Sequence, residues 1–172
     1  MARTIRTKVF KFNELNNNAK EKAIEWYRNT DFGDYQFAWN NTEEDAKEIG
    51  LKIIELSEHK ANEGHFLLSA NEVAQNIFNN HGGQCETYKT AQNFMEQWQP
   101  VFSNYMDETH EYYESNESED KLTEIEGYFL HSLLEDYRVM YFNDIEYQNS
   151  DEYIIEQIEA NEYEFTADGR RF

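Results

Sequence analysis

The chain has 172 residues, 35 of them acidic and 15 basic, for a formal net charge of −20; aromatics make up 16%. That length fits one domain, and twelve Phe, twelve Tyr and three Trp exclude a disordered acidic tail as a description of the whole. No apolar run approaches the ~18–20 residues of a membrane span and no signal-peptide pattern opens the chain. Its one cysteine, Cys85, excludes an internal disulfide framework and points to the cytosol.

The excess charge is uneven. Residues 1–30 carry seven basic and three acidic groups, whereas residues 107–164 carry two basic and nineteen acidic ones. Such self-repulsion costs stability. Solubility explains a net negative charge more readily than it explains this clustering. A surface of that sign repels nucleic acid and anionic membrane, so the expected partners are basic proteins, with no direct nucleic-acid binding and no membrane.

Residues 4–12 alternate in strand fashion, with basic residues suited to an exposed edge. Asn16 can cap a helix whose apolar stripe is Leu15, Ala19, Ala23, Trp26 and Tyr27. Residues 29–41 read as a loop, with Tyr35, Phe37 and Trp39 docking on the core. Thr42-Glu43-Glu44-Asp45 resembles a capping box opening a short helix that Gly50 closes. A buried strand is expected over 51–56 and its return over 65–68. Ser69-Ala70-Asn71-Glu72 is a capping box of standard residue types, starting a helix with Val73, Ala74, Ile77 and Phe78 inward and ending at Gly82-Gly83.

Tyr88, Ala91, Met95, Trp98, Phe102, Tyr105, Thr109 and Tyr112 recur at steps of three and four. They predict a helical seam over 87–113, kinked or broken near Gln99 by Pro100. Residues 114–120 read as an acidic connection. Leu122, Ile125, Phe129, Leu133, Tyr137 and Met140 define the next helix, and residues 151–161 the last. Tyr163 and Phe165 then alternate into an Ala167-Asp168-Gly169 turn. The expected fold class is α+β: a mostly helical single domain, 1–172, with a small antiparallel sheet using the N- and C-terminal strands, and 107–164 as a strongly acidic helical region. Pairing the basic first strand with residues 162–165 is electrostatically sensible.

Four segments carry a resemblance. Lys8-Val9-Phe10-Lys11-Phe12-Asn13-Glu14-Leu15 with Ala19-Lys20-Glu21-Lys22-Ala23-Ile24-Glu25-Trp26-Tyr27 is the first. The others are Asp45-Ala46-Lys47-Glu48-Ile49-Gly50, His81-Gly82-Gly83-Gln84-Cys85-Glu86-Thr87-Tyr88, and Asn161-Glu162-Tyr163-Glu164-Phe165-Thr166-Ala167-Asp168-Gly169. Together they are similar to small acidic proteins encoded by bacteriophages and prophages. The resemblance implies a role in the cytoplasm of an infected bacterial cell and carries over no catalytic residues. Small acidic phage proteins are often inhibitors of host defences, anti-CRISPR and anti-restriction proteins among them; this step is analogy.

Motifs for chemistry are sparse. His81 and Cys85 stand four apart, but zinc needs three or four ligands and no second close pair exists. A turn histidine and a semi-buried thiol are the expected roles. The Asp-x-Asp-x-Asp-Gly calcium loop and a glycine-rich phosphate loop are absent from the sequence. No catalytic residue, metal or cofactor is expected, and the chain reads as a binding protein, not an enzyme.

Duplex DNA carries one negative charge per ~1.7 Å of axis, whereas carboxylates one helical turn apart recur about every 6 Å, so several acidic edges are needed to approach it. The candidate partner-binding residues are Asp107, Glu108, Glu111, Glu114, Glu117, Glu119, Asp120 and Glu124, then Glu152, Glu156 and Glu159, with Tyr112 and Tyr113 as aromatic anchors. Glu111 and Glu114, read at a helix C-terminus, oppose the dipole there, a placement that favours a functional cause. The expected function is nucleic-acid mimicry: an inhibitor in the basic groove of a CRISPR effector or restriction enzyme. A homodimer is compatible with the sequence. The alternatives are a non-mimetic inhibitor or adaptor using an aromatic patch, whose complex would survive high salt, and an enzyme acting on a defence nucleotide.

Overall fold

The computed structural model describes residues 6–30, 35–106 and 112–172, without the side chains of 112–116. The fold is mostly helical α+β, with 67% of the described residues in helix. Its elements run β1 (Phe10–Lys11), α1 (Asn17–Asn29), α2 (Tyr35–Glu48), β2 (Leu51–Glu55), β3 (Glu63–Phe66), α3 (Ala70–Asn80), α4 (Glu86–Tyr105), α5 (Tyr112–Gln148), α6 (Asp151–Ala160) and β4 (Glu164–Phe165). Contacts divide the chain into a terminal unit, Met1–Ala38 with Asn143–Phe172, and a central unit, Trp39–Phe142. The strands form two separate antiparallel pairs, β1–β4 and β2–β3, where one small sheet was expected.

In the terminal unit the two ends of the chain pair as their charges suggest. Phe10 faces Phe165 and Lys11 faces Glu164, while Lys11 Nζ lies 3.2 Å from Glu162. Among the described residues of the expected 4–12 strand, these two alone pair. Asn16 caps α1, its side chain accepting from the Ala19 amide at 3.0 Å. Ala19 and Ala23 on α1 are buried with Phe12, Leu15, Ile154, Ile158 and Phe165, so the small residues let α1 approach α6 closely. Gly169 closes the final turn at φ +85°, where a Cβ would collide with the Ala19 carbonyl.

In the central unit β2 buries Leu51 and Ile53 and exposes Lys52 and Ile54, the period-two alternation of a half-covered strand. Its partner lies two residues earlier than the expected 65–68 span, with Leu51 opposite Phe66. The Ser69 capping box forms as read: Ser69 Oγ accepts from the Glu72 amide, and Glu72 accepts from the Ser69 amide at 3.0 Å. Gly50 follows α2 at φ +90°, the expected helix stop. Ile49, Leu51, Val73, Ala74, Ile77, Ala91, Leu133 and Tyr137 are fully buried in one core.

Three expectations about helices fail. Residues 35–41 are helical, not loop, so Thr42 lies inside α2 and does not open a helix. Aromatics at 35, 37 and 39 mimic alternation, but Ala38 is buried and Trp39 packs edge-on against Tyr141 at 5.6 Å, which fixes a helical turn. Tyr35 and Phe37 stay exposed. Residues 114–120 are also helical, within α5; glutamates are good helix formers and are favoured near an N-terminus. Finally, α4 ends at Tyr105, short of the expected 113, yet continues through Pro100. The Trp98 and Phe102 rings stack at 4.3 Å across that proline, and their packing holds the turn in which its missing N–H removes a hydrogen bond.

Candidate functional site

The expected acidic residues sort by element. Asp107, Glu108 and Glu111 lie outside the described residues, as do the side chains of Tyr112, Tyr113 and Glu114. Glu114 itself stands in the first turn of α5, not at the end of a preceding helix. The dipole therefore favours Glu114 there, and its placement gives no sign of a functional cause.

Glu117, Asp120 and Glu124 are exposed on α5, and at ~100° per residue they fall within about one third of its circumference. Glu119 is also exposed but lies on roughly the opposite side of the helix. On α6, Glu152, Glu156 and Glu159 are exposed along one stripe of the terminal unit. Among the described residues none of these seven carboxylates forms an ion pair, unlike Glu135 with Arg138 (2.6 Å), Asp151 with Arg28 (2.5 Å) and Glu162 with Lys11. Glu126 is committed as well, accepting from Trp98 Nε1 at 3.1 Å.

The central unit holds 21 acidic and 6 basic residues, a net −15, against −5 for the terminal unit. The stripe from Glu117 to Glu124 spans about 10 Å of helix, over which duplex DNA carries about six charges. Three carboxylates supply half of that, and Lys121 sits among them.

The tyrosines divide between core and surface. Tyr137 is fully buried, its hydroxyl donating to Asp45 Oδ2 at 2.7 Å. Tyr128 is 65% exposed, one turn from Glu124. It flanks a groove of about 330 Å³ formed by Gln97 and Val101 of α4 and Lys121, Glu124 and Ile125 of α5. Of its lining only Glu124 is among the residues expected from sequence; the signal for Tyr128 is a tyrosine four residues after that glutamate on the polar side of the helix. In the terminal unit Tyr147 contacts Tyr153 edge-on at 5.4 Å. The negative charge of Glu156, helped by burial and by Glu152, raises the pKa of its hydroxyl.

His81 is a structural residue. Its Nδ1 lies 2.7 Å from the hydroxyl of buried Thr87, and its Nε2 lies 3.6 Å from Asp45. Asp45 thereby links α2 to both the end of α3 and the middle of α5. Cys85 is exposed at the N-cap of α4, not semi-buried as expected. No cluster of three His, Cys, Asp or Glu side chains capable of holding a metal occurs among the described residues.

Asp136 carries a pH consequence. Burial raises its carboxyl pKa; the hydrogen bond it accepts from Thr90 at 2.7 Å opposes this, and nearby Glu86 and Glu135 add to the rise. A raised folded-state pKa favours the protonated form. The associated stability is present below the ordinary Asp value of about 3.9 and is lost as pH rises through the folded-state value. Asp136→Asn keeps a carbonyl acceptor for Thr90. It is expected to raise the midpoint of thermal unfolding slightly at pH 7, with the gain shrinking toward pH 3.5. An equal gain at both pH values would show that ionisation is not its source.

The chain matches no protein-family model, no curated protein and no solved structure.

Proposed function

We propose that this protein is a phage-encoded acidic inhibitor that occupies the basic nucleic-acid groove of a host defence protein, a CRISPR effector or a restriction enzyme, in the cytoplasm of the infected cell. The observation that carries the reading is the set of exposed carboxylates on α5, without ion pairs among the described residues, in a unit of net charge −15. Carboxylates kept free of internal cations hold their field for a partner, and opposed fields speed encounter and make the complex salt-sensitive. The role is binding, not catalysis. None of the described helices is long and apolar enough to cross a membrane.

A second reading, a non-mimetic inhibitor or adaptor using an aromatic patch, is favoured by the exposure of the Tyr128 ring. Capture of partners from a bacterial host lysate, eluted with rising salt, separates the two. Release of a nucleic-acid-binding protein by moderate salt supports mimicry. A partner retained through 1 M salt, about a 3 Å Debye length, supports the apolar patch.

A further inference from the structure

We infer that the α4–α5 groove beside Tyr128 is an arginine-reading subsite. In it the guanidinium of a basic partner lies on the Tyr128 ring and pairs with Glu124, while its methylene stem lies on Val101 and Ile125. The inference rests on the acidic-surface reading above and deepens it by naming the side chain that is read.

Three observations converge on this groove. Its lining joins two apolar residues to an exposed aromatic ring and an unpaired carboxylate, the combination that suits a cation with an apolar stem. Its wall is firm: a smaller recess sharing Gln97, Ile125 and Tyr128 is backed by Phe94 and Phe129, whose rings stack at 4.1 Å. Carboxylates outnumber cations around it, for Glu117 and Asp120 continue the α5 stripe beside the single Lys121 without forming ion pairs among the described residues. Arginine fits better than lysine. Its guanidinium is planar and weakly hydrated, so it can stack on a ring and engage a carboxylate with two parallel hydrogen bonds, whereas an ammonium keeps its water.

Lys121 also lines the groove, and it makes the sign of the ligand testable. A cationic ligand is repelled by Lys121 and an anionic one is attracted.

The test is a titration of the full chain at low salt with fluorescently labelled nine-residue peptides, one all arginine and one all lysine. The arginine peptide is expected to bind roughly three- to tenfold tighter. Tyr128→Leu should reduce that preference to about twofold or less, the part due to carboxylates alone, and Tyr128→Phe, which keeps the ring face, should preserve it. Lys121→Gln should tighten both peptides. An unchanged preference in Tyr128→Leu, or weaker binding in Lys121→Gln, overturns the subsite while leaving the acidic-surface reading intact. Failure of both peptides to bind overturns the two together.

Discussion

Phe129→Ala will cost the central unit about 3–5 kcal/mol, the usual range for deleting a buried aromatic ring. Phe129 is 3% exposed. Its ring stacks on Phe94 at 4.1 Å with an interplanar angle of 11° and meets Phe66 at 5.5 Å. One side chain thus joins α5 to α4 and to the β2–β3 hairpin. Deletion removes its burial, leaves a cavity between two helices and a sheet, and dissolves the aromatic pairs, each worth about 0.5–1.5 kcal/mol beyond buried area. Against a total stability of about 5–15 kcal/mol this is a large fraction. A thermal melt followed by circular dichroism should show the midpoint falling by roughly 10 °C or more. A loss under about 1 kcal/mol would mean that the stack does not organise this core.

Neutralising Glu117, Asp120 and Glu124 together, by Glu→Gln and Asp→Asn, is expected to weaken a basic partner by roughly tenfold or more at low salt, chiefly through slower association. The unfolding midpoint should stay the same or rise, because all three side chains are exposed, form no ion pair among the described residues and are set among like charges. Glu119→Gln alone is expected to change affinity less than twofold, since Glu119 lies on the other side of α5. Adding it to the triple variant should therefore do little. If Glu119→Gln equals the triple variant, the binding surface is not the stripe that holds Glu124.

Local signals were readable wherever a short motif settled the backbone. The Asn16 and Ser69 caps rest on contacts within a few residues, and the Gly50 stop and the Gly169 turn are marked by glycines at positive φ. The pairing of Lys11 with the acidic C-terminal strand was legible from charge alone. Illegible features were those that distant partners decide. Trp39 is held in a helix by Tyr141, and the turn around Pro100 by a ring stack across it. The acidic run at 114–120 looked like a connection because apolar periodicity, the strongest sequence cue, lapses there.

The same contrast applies to the surface. Composition marked the acidic region, yet it could not distinguish Glu126 and Glu135, bound to Trp98 and Arg138, from Glu117 and Glu124, which are not. Asp45, read as part of a cap, is instead the acceptor for a buried tyrosine 92 residues away.

The most direct measurement of the central claim is competition. A captured host defence protein, titrated with this chain in the presence of increasing amounts of its own DNA or RNA, should show the two binding mutually exclusively. Its apparent affinity for the chain should fall in proportion to the nucleic acid added. Simultaneous binding of both ligands, with the affinity for the chain unchanged by nucleic acid, would contradict the account.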